Sequence, residues 1–154
     1  MKVEIRYPLP RKEIDDLTRK RMEQLEITKH RARDTGIPKL VATVNSGRFD
    51  QQAKREDKHV RKELAVHPAA RLRSALNYFL PEARREYEED NEFPEHNMYP
   101  YYVRMGGMLL EGDLEGALLV LHEMAKKNDA PLIPDSLNIN TDYWADVTVT
   151  EGGE

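Results

Sequence analysis

The chain contains no cysteine, which excludes disulfides and thiolate metal ligands. It has no apolar run near the roughly 20 residues of a membrane-spanning helix. The opening residues Met1-Lys2-Val3-Glu4-Ile5-Arg6 lack the apolar centre of a signal peptide. The expectation is a cytoplasmic protein with no membrane partner. Catalytic signatures are equally scarce. No phosphate-binding glycine loop is present, and the isolated pair Gly106-Gly107 sits inside an apolar stretch, where it is read as allowing close helix packing. Ser46, Ser74 and Ser136 lie outside any Gly-x-Ser-x-Gly turn. None of His30, His59, His67, His96 and His122 has a partner at metal-ligand spacing. His122-Glu123 opens like a zinc-protease helix, but position 126 is Lys126 where the second histidine would stand. The carboxylates of residues 82–95 lack the alternating Asp/Asn loop with a central glycine that holds calcium, so a solvated acidic face is expected. No catalytic residue, metal or cofactor is assigned, and a small enzyme of unknown class ranks last among the functional readings.

What is present is charge. The 154 residues are 34% charged and 39% hydrophobic, a more charged and less apolar balance than an average domain has. The net charge of −4 conceals a division. Residues 1–80 hold 19 Lys/Arg and 11 Asp/Glu, a net +8, whereas residues 81–154 hold 5 and 17, a net −12. Such a division suggests a polyanionic partner for the basic half or attraction between unlike halves of two copies; folding of the two halves against each other fits as well.

The pattern predicts a mainly α single domain of five or six helices over residues 1–154, with a small antiparallel sheet supplied by the termini. Val3, Ile5 and Tyr7 alternate with Lys2, Glu4 and Arg6, a strand signal that Pro8 and Pro10 end. A helix is expected from Arg11 to Arg33, with Ile14, Leu17, Met22 and Leu25 on one stripe and Gly36 and Pro38 stopping it. Residues 37–44 fit either a strand or a short helix. Residues 50–66 read as a helix with Ala53, Val60 and Leu64 on a narrow apolar edge, and Lys54, Arg55, Lys58, Arg61 and Lys62 fall within about 120° on another side. Ser46-Gly47 is placed to cap it. Pro68 suits the first turn of the next helix, where Leu72, Leu76, Phe79 and Leu80 give the apolar face, Arg71 and Arg73 extend the basic region, and Pro81 is expected to break or kink it. Pro94 and Pro100 mark an irregular connection. Helices follow at about 101–111 and 113–127, and Tyr143, Ala145, Val147 and Val149 alternate with Trp144, Asp146, Thr148 and Thr150 as a second strand.

The stretch Tyr101–Met124 carries the strongest local pattern. In its centre, Gly112-Asp113-Leu114-Glu115-Gly116-Ala117-Leu118, glycine ends one helix, aspartate caps the next, and the small Gly116 and Ala117 are expected to let two helices approach. This segment resembles the turn of tetratricopeptide and pentatricopeptide helical hairpins. It is also similar to a helical segment in small terminase subunits of some tailed phages, where an apolar helix meets Gly-Asp, Gly-Ala-Leu and a later proline. The likeness covers about 30 of the 154 residues, over roughly 101–131, with no second copy of the unit in the sequence.

Two kinds of partner follow. The leading reading is a non-catalytic interaction factor (adaptor, assembly or inhibitory protein) that meets another protein or a second copy of itself. Its interface candidates are Tyr99, Tyr101, Tyr102, Leu114, Leu118 and Leu121, although the tyrosines suit a core anchor at least as well. The alternative is nucleic-acid binding through Lys54, Arg55, Lys58, Arg61, Lys62, Arg71 and Arg73, which the terminase likeness extends to a phage DNA-packaging accessory.

Overall fold

The computed structural model describes residues 2–89, 97–128 and 142–150. In chain order the elements are β1 (Lys2–Ile5), α1 (Arg11–Asp34), α2 (Pro38–Asn45), α3 (Arg48–Leu64), α4 (Pro68–Glu89), α5 (Tyr99–Leu110), α6 (Leu114–Asn128), a 3₁₀ turn (Asp142–Trp144) and β2 (Val147–Thr150). The chain is mainly α, with six helices and one small antiparallel sheet among the described residues. It divides into two compact units, one formed by Leu9–Ala65 and the other by Met1–Pro8 with Val66–Glu154.

The first unit is a three-helix assembly in which α1, α2 and α3 pack pairwise. Pro38 settles the ambiguous stretch as a helix, because it stands at the first helical position, where its missing N–H is not needed. Gly47, at φ +76°, turns the chain from α2 into α3. The Ser46 hydroxyl donates back to the Thr43 carbonyl at 2.7 Å and so closes α2 more than it opens α3. Val44, Ala53, Val60 and Leu64 are buried with Leu9. The 24 residues of α1 include none that is fully buried.

Polar groups join α1 to α3 instead. Asp57 accepts hydrogen bonds from the Thr18 hydroxyl, from Arg21 Nη1 at 2.8 Å and from Arg61 Nε at 3.1 Å. Arg61 also donates to Asp15 and to the Thr18 hydroxyl, each at 2.8 Å. Partial burial works to raise the Asp57 pKa, but the hydrogen bonds from Thr18 and Arg61 and the charges of Arg61 and Arg21 outweigh it and hold the carboxyl below its ordinary value. Farther along, Lys29 reaches Asp50 at 3.0 Å.

The second unit has a conventional apolar core. Leu72, Leu76, Met98, Tyr102, Met105, Ala117, Leu118, Leu121, Met124, Trp144 and Val147 pack together, with α5 between α4 and α6. The two strands pair in antiparallel register, Lys2 opposite Thr150 and Ile5 opposite Val147. The second strand is shorter than the alternation predicts, because Tyr143 and Trp144 enter the 3₁₀ turn that buries the indole.

Helix α4 runs through Pro81 rather than breaking there. The carbonyl that proline leaves without a donor belongs to exposed Asn77, where water can serve it, while Leu80 and Ala83 stay packed on the core across the proline. Its acidic end is solvated, with Glu82, Glu88 and Glu89 paired to Arg85, Arg84 and Arg85 in turn. The expected proline-marked connection around Pro94 lies outside the described residues, as do His96, Pro131, Pro134 and Ser136.

Candidate functional site

The α5–α6 turn forms as its residues dictate. Gly112 takes φ +80°, and the Asp113 carboxylate accepts the Gly116 N–H at 2.9 Å. The role expected of Gly116 needs correction. A Cβ there would strike first the Asp113 carboxylate, so its smallness serves the cap. Of the hairpin, Leu118 and Leu121 are buried in the core, and Leu114 is half-buried against it. Tyr102 is also a core residue, stacked on Phe79 with ring centroids 6.5 Å apart. Burial, with a contribution from the Glu86 charge, pushes its hydroxyl pKa up to about 12. Leu118 and Leu121 therefore leave the interface set, since burial within the unit removes them from any partner, and Tyr102 keeps only a 3% exposed edge. Tyr99 is half-buried against Tyr87, and Tyr101 lies under Lys127, whose ammonium is 5.6 Å from the ring centroid.

The basic set also divides. Lys54, Arg55, Lys58 and Lys62 are exposed along α3, opposite its buried edge. None of the four has an ion pair with a described residue. Arg61 is instead drawn into the α1–α3 clamp. Arg73 is exposed on α4.

Arg71 cannot meet a polyanion. It is 4% exposed and grips the buried Asp146 through two bonds, Nη1–Oδ2 at 3.0 Å and Nη2–Oδ1 at 2.6 Å. It also donates to the Val66 carbonyl at 2.8 Å and lies over the Trp144 ring at 4.7 Å. The Asp146 carbonyl in turn accepts the Arg6 N–H at 2.7 Å, so this pair ties α4, the 3₁₀ turn and the sheet together.

The feature that sequence reading missed lies on the outward side of α5. A groove of about 640 Å³ opens between α4 and α5, lined by Leu76, Leu80, Val103, Gly106, Gly107 and Leu110 among others. Arg73, Asn77 and Tyr102 supply its polar lining, with no carboxylate, histidine or serine. Leu110 is 91% exposed and Val103 is 48% exposed. The two glycines do not serve internal packing, which overturns the expectation for them: a Cβ built at either position meets nothing within 4 Å. They form the open floor of the groove instead. The missed signal was that α5 carries two apolar faces. Val103, Gly106, Gly107 and Leu110 recur at i, i+3, i+4 and i+7, marking a second face besides the buried one of Tyr102 and Met105.

Among the described residues, no group of three or more His, Asp or Glu is placed to hold a metal ion, and no helix is long and apolar enough to cross a membrane. No protein-family model, curated protein or solved structure matches the chain.

Proposed function

We propose that the chain is a non-catalytic protein-interaction factor whose docking element is the groove between α4 and α5. The observation that carries this reading is the open apolar face of α5. Glycine in a helix interior costs about 0.5–1 kcal/mol relative to alanine. Here two adjacent glycines are kept where nothing inside the unit crowds them, beside a leucine that is almost wholly in water. A partner surface pressed against that floor would turn the same residues to use, covering Leu110 and Val103 and gaining apolar burial. Such a groove, with its few polar groups at the wall, suits an apolar helix face laid along it.

A photoreactive benzoylphenylalanine in place of Leu110 tests the reading in extracts of the native host. A protein adduct at position 110, absent when the probe replaces Lys62, is the expected result. The same adduct should disappear when Gly106 and Gly107 are both changed to leucine, a filling that α5 has room for. Equal labelling at both positions would refute the docking role.

A second reading, polyanion binding by α3, is favoured by one observation: Lys54, Arg55, Lys58 and Lys62 share an exposed face with no ion pair to a described residue. The Leu9–Ala65 unit holds 15 Lys/Arg against 10 Asp/Glu, a net +5. The packaging role implied by the terminase likeness falls under this reading. Binding through all four cations gives a log–log salt slope of about −3.6 for a DNA duplex and about −2.8 for a single strand. Reversing the four to glutamate should abolish retention; unchanged retention rules this reading out.

A further inference from the structure

Granted that the α5 face is a docking surface, the geometry points to a second copy of the same chain as its occupant. We infer a two-fold contact in which α5 of one copy lies antiparallel on α5 of the other. Two charges flank the apolar stripe. At 100° per residue, Arg104 and Glu111 fall about 20° apart, on the same side of Val103, Gly106 and Leu110. They stand seven residues, or about 10 Å, apart along the axis. Both are exposed.

A two-fold axis perpendicular to both helices inverts height along the helix and preserves the side. With the axis at the level between Gly107 and Met108, Arg104 of each copy comes level with Glu111 of the other, on the same flank. The contact thus forms two opposite-charge pairs at once. A parallel two-fold would keep the heights but send each flank to the opposite side, so neither Arg104 nor Glu111 would meet a charge of the other copy; only the antiparallel arrangement joins the two.

The same operation matches shape. Leu110 of one copy falls between the levels of Val103 and Gly106 of the other, so the exposed leucine enters the floor that the glycines leave open. Identical patches then bury each other, as an isologous interface requires. Glu111 has no cationic partner among the described residues and gains one in the pair. Arg104 has an exposed partner in its own chain, Glu123 at 3.7 Å. That surface pair is screened by water and yields easily.

The contact is tested by sedimentation equilibrium of the full chain and of three variants, over a range of protein concentration. The wild-type chain should show a monomer–dimer equilibrium. Arg104→Glu and Glu111→Arg should each weaken the dimer at least about tenfold, because each sets like charges against one another twice. The double variant Arg104→Glu/Glu111→Arg should recover most of the association, since the pairs reform with signs exchanged. Both positions are exposed, and circular dichroism should show unchanged helix content. A monomer at every concentration, or a dimer indifferent to the single reversals, overturns the second-copy contact. A monomeric chain that still forms adducts with a different protein at position 110 would leave the docking role standing and remove only this occupant.

Discussion

The two units of this chain are held together by different physics. In Leu9–Ala65, the longest helix has no fully buried residue, and charged and hydroxyl groups around Asp57 join α1 to α3. In the other unit, a continuous apolar core carries the packing, and its polar tie is the buried Arg71–Asp146 pair. The difference is one of energy per contact. Hydrogen bonds near the surface exchange water for protein partners at a small net gain, whereas apolar burial scales with area and a buried charge tolerates no loss of its partner.

This contrast can be broken at graded cost. Removing one side of the buried pair, as in Asp146→Ala, should destabilise its unit by about 3–5 kcal/mol, measured by urea denaturation. Replacing both partners by apolar residues, Arg71→Met with Asp146→Leu, should recover much of that loss. Leu118→Ala should cost about 2–5 kcal/mol through the cavity it leaves. In the three-helix unit, Asp57→Ala should cost about 1–3 kcal/mol, because Thr18, Arg21 and Arg61 lose their common acceptor. Leu25→Ala on the half-buried stripe of α1 should cost no more than about 1 kcal/mol. If Leu25→Ala equals Leu118→Ala, the contrast between the units fails.

pH sharpens the same comparison. The Asp57 carboxyl titrates below its ordinary value of 3.8 in the fold. The stability it contributes is complete above that value and is lost as pH falls through the lower, folded pKa. Tyr102 is displaced the opposite way, to about 12. Its unfolded form ionises first, so the second unit loses stability as pH rises from about 10 toward that value and none below it. Far-ultraviolet circular dichroism against pH, with Asp57→Asn and Tyr102→Phe as references, should assign the acid limb to one unit and the alkaline limb to the other.

The helices were legible because apolar period and punctuation agreed. Gly36, Pro38, Gly112 and Asp113 mark ends that the structure keeps within a residue or two. The terminal sheet was legible from alternation. Of the two outcomes expected at Pro81, the break does not occur, because tertiary packing on both sides of it outweighs one missing hydrogen bond. The candidate sites were less legible. Arg71 and Arg73 look like neighbours in the sequence, yet two helical steps set them about 160° apart, one toward the core and one toward water. The acid that claims Arg71 lies 75 residues away, a distance no local pattern spans. Gly106-Gly107 looked like packing glycines because α5 has two apolar faces, and which of them turns inward is decided by α4 and α6.

The most direct measurement concerns the accessibility of position 110. Since the chain has no cysteine, Leu110→Cys provides a single thiol on the outward face of α5, and its maleimide labelling rate can be followed in dilute protein, in concentrated protein and in host extract. Fast labelling in dilute solution that slows as a partner surface becomes available is the predicted result. One rate shared by all three conditions would contradict the claim that this face is made to be covered.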